Sequence, residues 1–214
     1  MCSPDEISSV NSRTKSCGTD GVNNWHASSS LPGWVWKGDT SSDTITGHYF
    51  AYGVILDHVA ESDEEISRVF WALDRITSYI VKNDYYYIDV TGQPTKWGRW
   101  NPIDLNENSQ YYSERGVNSL EILSYLALTY SVTGNEVYLK EYHRLADQEG
   151  YLRNVLNYKL DNPFEDNHSD NQLGWVLTLL LPLTHSLTHS LTHSFFFTGL
   201  WPTTLSSIHT IGFF

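Results

Sequence analysis

The chain has 214 residues, enough for one domain with a substantial core, and its 14% aromatic content, including 8 Trp and 14 Tyr, suits a packed fold rather than disorder. A formal charge of -12 argues against nucleic-acid binding, which needs clustered Lys and Arg, and against anionic membranes. Met1 to Val10 is polar and carries Asp5 and Glu6, so it does not read as a secretory signal. No apolar run reaches the roughly 18 to 20 residues of a spanning helix. Cys2 and Cys17, the only cysteines, make no zinc framework. No metal and no cofactor is implied.

In chain order, residues 1–38 are rich in Ser, Gly and Asn and read as irregular, with Trp25, Trp34 and Trp36 marking a segment that packs against something. Helical periodicity begins after it. A first helix is predicted over about Ser42 to Ala60, with Ile45, Tyr49, Tyr52, Ile55, Leu56 and Val59 on one stripe and a Thr40/Asp43 capping box. A second runs from about Asp63 to Lys82, with Ser62 and Glu65 as its capping box and Ile66, Val69, Phe70, Leu73, Ile76 and Ile80 as its core face. Tyr85 to Val90, the turn Thr91-Gly92-Gln93-Pro94 and Thr95 to Trp100 read as a β-hairpin. A third helix, about Glu114 to Thr133, is apolar nearly all round and should be buried on most sides, with Gly134 as its C-terminal cap. A fourth spans about Asn135 to Asn157, kinked or divided at Gly150, and a fifth would begin near Ser169.

The composition breaks near residue 175. Asp170 is the last charged side chain, and the following 44 residues contain no Asp, Glu, Lys or Arg. Leu183 to Ser194 reads LTHSLTHSLTHS, which one tetranucleotide, ACTC, repeated in frame would encode. Residues 176–214 are therefore expected to be a translated DNA repeat with its flank, and the chain a truncated copy of a longer protein. His185, His189 and His193 would form an imidazole stripe on a helix, but Thr and Ser are mediocre helix formers and no carboxylate lies nearby to orient the rings.

Short links join antiparallel helices. The links around Glu61 and Gly134 then share one end of the helical layer. The long connections, Trp34 to Ser41, Tyr85 to Ser113 and Tyr158 to His168, emerge at the other. That end collects the polar clusters: Asp39 to Asp43 with His48; Trp97, Arg99 and Trp100, then Glu114, Arg115 and Asn118; and Asp166 to Asp170 with His168. Short loops on one side and long aromatic, charged loops on the other are how a scaffold presents a site.

Helical hairpins with long loops at one end look like an (α/α) toroid, as in six-hairpin glycosidases and related polysaccharide lyases and epimerases. The segments KGDTSSDTITGH, TKWGRWNP, ERGVNSLEILSYL and NHSDNQL also resemble a widespread family of uncharacterised proteins with that predicted architecture, over about Trp34 to Trp175. A full toroid needs about twelve helices, roughly 300 residues. The resemblance implies a carbohydrate-active site at the long-loop end and transfers no catalytic residue. It makes residues 39–175 a partial, mainly α toroid of antiparallel hairpins, (α/α)6 when complete, with one small β-hairpin. Helices one and three should then expose faces that later hairpins would cover.

The chemistry follows from residue types. Glycoside cleavage needs two carboxyl groups, and Asp39, Asp43, Glu114, Asp166 and Asp170 are candidates. A lyase or epimerase needs a base and a cation, which His48 or His168 with Arg99 or Arg115 could supply. Trp97 and Trp100 offer flat faces for a sugar ring. Each has a plainer alternative. Asp39 and Asp43 can cap helix one, and Glu114 with Arg115 can cap and pair at helix three. His48 can be a core histidine, the tryptophans hairpin core, and Asn118 a structural hydrogen-bonder. Asn167-His168-Ser169 is a glycosylation sequon. DTSSD lacks the glycine and distal glutamate of an EF-hand. Two functions stay open: a carbohydrate-active enzyme acting on a poly- or oligosaccharide, inactive in this truncated chain, or a non-catalytic glycan-binding or scaffold domain.

Overall fold

A computed structural model describes residues 25–157, 172–174 and 177 of the protein, and within them the fold is mainly helical with two small antiparallel strand pairs. The first pair, β1 (Trp25–Ala27) and β2 (Val35–Lys37), replaces irregular chain expected there. Its turn is chemically dictated. Leu31 accepts a hydrogen bond from Trp34 N–H at 3.1 Å across Pro32 and Gly33, and Gly33 takes φ 82°, which the third position of a type II turn requires.

Helix α1 (Ser42–His58) and helix α2 (Asp63–Lys82) form the first helical hairpin. The cap of α1 is Ser41, whose Oγ accepts from Thr44 N–H, one residue on from the expected Thr40. Asp43 is instead a first-turn acid, favourable at the positive helix end. The reciprocal capping box of Ser62 and Glu65 is present at α2. Strands β3 (Tyr86–Ile88) and β4 (Pro94–Arg99) make the second hairpin, with Gly92 at φ 76° in its turn.

The next connection is more ordered than its sequence suggested. Asn101 caps a short helix α3 (Pro102–Glu107), with proline at its first position, and a 3-10 turn at Ser109–Tyr111 follows. Helix α4 (Arg115–Thr133) ends at Gly134 in the left-handed region, φ 66°. The fourth predicted helix is divided into α5 (Glu136–His143), a π-helical turn (Arg144–Gln148), a break at Gly150 with φ 72°, and α6 (Tyr151–Asn157). Residues 172–174 and 177 are helical. The remainder of the predicted fifth helix and the repeat lie outside the described residues.

Helix α4 is the centre of the core. Every residue from Gly116 to Thr129 is buried. The expectation that this helix exposes a core face is therefore wrong. The connection through α3 and the bent α5–α6 segment folds over it and closes that face. Helix α1 is less enclosed, with Phe50, Tyr52, Ile55 and Leu56 half-buried against the core.

Candidate functional site at the long-loop end

Helices α1 and α4 run in the same direction. Thr46 meets Glu121, and one turn further along both helices the rings of Tyr49 and Tyr125 stack with centroids 4.0 Å apart. Helix α2 returns antiparallel, with Tyr49 hydroxyl 2.6 Å from Thr77 Oγ1 and Thr77 2.7 Å from Thr129. The N-terminal ends of α1 and α4 consequently share one end of the layer. Asp43, in the first turn of α1, and Arg115, the first residue of α4, both belong to it.

The hairpin β3–β4 lies on the same rim. Asp39 sits at φ 53°, a left-handed conformation uncommon outside glycine, and its Oδ1 accepts the Lys96 N–H at 2.8 Å. That bond ties the entry to α1 onto β4. Arg99 is fixed from several sides. Its Nε donates to Thr95 carbonyl at 3.0 Å, its guanidinium pairs with the nearly buried Asp104 at 3.1 Å, and the rings of Tyr111 and Tyr86 lie 5.1 and 5.7 Å from it. Asn118 is buried and donates to the Arg99 carbonyl at 2.9 Å. These two residues are structural supports.

The tryptophans separate. Trp97 is 39% exposed, with Lys96 Nζ 4.4 Å above its ring. Trp100 is 0% exposed, so it cannot be a sugar platform. Its ring edge meets Tyr125 and its indole N–H donates to Glu121 Oε2 at 2.8 Å. Arg115 stacks 3.8 Å over the exposed ring of Tyr112. Glu114 makes no side-chain capping bond at α4 and accepts instead from the Ser113 hydroxyl at 3.0 Å. His48 is exposed rather than a core histidine, with its ring 6.1 Å from that of Tyr52. Asp43 is exposed as well. Asp166, His168 and Asp170 lie outside the described residues.

Beneath the rim is a residue the sequence reading passed over. Glu121 is fully buried; the Thr46 hydroxyl donates to its Oε1 at 2.8 Å and Trp100 to its Oε2. Burial pushes its carboxyl up to about 8, against the lowering effect of bonds from Trp100, Thr46 and Ser42; the negative charge of Asp43 raises it further. At neutral pH this acid is largely protonated. The signal was legible: Glu121 is the lone charge between Gly116 and Thr133 on a helix apolar all round, and an acid on such a helix must be buried.

A concavity of about 610 Å³ opens elsewhere, between α1 and α2, and is lined by Tyr52, Glu64, Arg68, Val69 and Trp71 among others. It lies toward the short-link end, and no candidate from the sequence lines it. Among the described residues no three His, Cys, Asp or Glu side chains cluster as a metal site, and no helix is long and apolar enough to cross a membrane. Compared with family models, curated proteins and solved structures, the chain matches none of them.

Proposed function

We propose that the long-loop rim binds a poly- or oligosaccharide, as the carbohydrate-facing end of an (α/α) toroid-type domain. What carries this reading is the pair of exposed aromatic rings on the rim, Trp97 and Tyr112, each backed by a cation on one face. A flat apolar ring takes the C–H face of a sugar, and neighbouring charged groups take its hydroxyls. The parallel α1 and α4, each opening an antiparallel hairpin, are the arrangement that consecutive toroid hairpins require.

Binding without cleavage is the better supported form. Asp39 spends its carboxylate on a backbone amide, Glu114 accepts from a neighbouring serine, and Arg99 is locked in an ion pair. One observation favours an enzyme. Glu121, beneath the exposed Asp43, stays protonated near neutrality, and a protonated carboxyl is what the acid step of glycoside cleavage uses. Both oxygens of Glu121 are engaged and shielded from solvent, so this second reading needs a rim that opens.

The test is a tryptophan-fluorescence and calorimetric titration of the protein with a panel of neutral and acidic oligosaccharides. Saturable binding that Trp97→Ala weakens at least tenfold is expected. Binding unaffected by Trp97→Ala, or no binding to any member of the panel at millimolar concentration, refutes the proposal.

A further inference from the structure

The rim is assembled from three elements that do not adjoin in sequence: α1, strand β4 with Trp100 directly after it, and α4. One carboxyl group touches all three. Glu121 on α4 receives the indole N–H of Trp100 at 2.8 Å and the hydroxyl of Thr46 on α1 at 2.8 Å. Thr46 is also 2.6 Å from the Tyr125 hydroxyl, and Tyr125 stacks on Tyr49. The backbone of Trp100 is held too: its carbonyl accepts from the Tyr151 hydroxyl and its N–H donates to the Tyr85 carbonyl at 2.8 Å. Trp100 thus forms the fixed base of the strand that carries Trp97 three residues earlier.

We propose that Glu121 is the positioning residue of the rim, a buried acid that holds β4 and α1 against α4 in its neutral form and lets the Trp97 strand loosen when it ionises. The inference rests on the glycan-binding reading for its functional consequence, though not for its structural one. The groups facing the carboxyl are Ser42, Asp43 and Thr46 from α1, Trp100 from the hairpin and Tyr125 from its own helix. Asp43 carries a negative charge and Tyr125 is itself held neutral by burial, its hydroxyl displaced well upward. None of these groups neutralises an ionised Glu121. The hydrogen bonds from Trp100, Thr46 and Ser42 favour the charge, and desolvation outweighs them. As the neutral acid, Glu121 still fills both oxygens, its own proton turning one of these contacts round. Above the titration point the buried charge has no counter-ion, and the least costly relief is to admit water by parting the rim.

The experiment follows the near-UV circular dichroism of the tryptophans and amide hydrogen exchange over residues 95–101 from pH 5 to 10, in the wild type and in Glu121→Gln. A one-proton transition centred near pH 8, with hairpin protection factors (exchange relative to the intrinsic base-catalysed rate) at least tenfold lower above it, is expected for the wild type, and pH-independent protection factors for Glu121→Gln. Should Glu121→Gln fail to fold, Thr46→Val serves instead: losing a donor to the carboxylate moves the midpoint to higher pH. Identical pH profiles in wild type and Glu121→Gln, or an unmoved midpoint in Thr46→Val, overturn the proposal. An oligosaccharide titration at pH 6.5 and 9 separates the two claims. Weaker binding at pH 9 in the wild type alone supports the link to function. A hairpin transition with no binding at either pH leaves the positioning role of Glu121 standing and removes the glycan reading.

Discussion

The two ends of the helical layer are built on different terms. At the short-link end the chain turns with inexpensive local chemistry. Ser62 and Glu65 cap α2 reciprocally, Gly134 closes α4 at φ 66°, and Asn135 accepts the Val137 N–H to start α5. At the long-loop end Asp39, Asp84 and Tyr85 all hold positive φ without being glycine, a buried acid lies under the rim, and Arg99 and Arg144 sit among aromatic rings and carboxylates. The positive-φ residues and the buried acid each cost free energy that packing elsewhere must offset, and such strain gathers where a surface has work beyond folding. The contrast teaches that local caps close one end of this domain while long-range contacts hold the other.

Substitutions at the two ends should separate stability from binding. The largest effect belongs to Trp100→Ala, which empties a fully buried site and strands the Glu121 carboxyl. It should lower unfolding free energy by about 5 kcal/mol in a urea melt. Next comes the pH dependence set by Glu121. Its folded value lies near 8 and its ordinary value is 4.5, so folding favours the proton. That stabilisation is fully present below pH 4.5, falls as pH rises through the interval, and is gone above 8; a little under about 5 kcal/mol is at stake. Denaturant melts from pH 5 to 8 should show this slope in the wild type and lack it in Glu121→Gln. At the short-link end, Ser62→Ala and Gly134→Ala should each cost about 1 kcal/mol, the first from a lost cap and the second from a side chain forced into the left-handed region. Neither should alter oligosaccharide affinity. Smallest in stability is Trp97→Ala, within about 0.5 kcal/mol. If it destabilises as much as Trp100→Ala, the ring is hairpin core and the contrast between the ends collapses.

Much of the architecture could be read from residue patterns. Helix α2 with its capping box, the β3–β4 hairpin around Gly92, the Gly134 cap and the division at Gly150 all follow from local chemistry that tertiary packing did not override. The β1–β2 pair escaped because strands of three residues carry no measurable alternation, although Pro32-Gly33 announced its turn. The short helix α3 escaped because a six-residue helix has no periodicity, leaving Asn101-Pro102 as its sole signature. For the site, alternation of short and long links placed Asp43 and Arg115 at one end. It could not distinguish Trp97 from Trp100, three residues apart on a hairpin, because which ring turns inward depends on the unforeseen partner Glu121. For His48 only the core alternative fails: the stripe on α1 is wider than the face that α2 and α4 cover, so its edge remains in solvent.

The π-helical turn at Arg144–Gln148 governs how α6 is aimed. Such a turn amounts to one extra residue spliced into an α-helix, and each residue advances the helix by roughly 100°. Removing a single amino acid between Arg144 and Gln148 would tidy the hydrogen-bond ladder and at the same time rotate α6 by more than a quarter turn. Tyr151 would swing away from the Trp100 carbonyl, and Asn154 from Asn106 and Ser119. Length along this stretch is thus a steering parameter, and a one-codon deletion there would be felt on the far side of the hairpin that the helix braces.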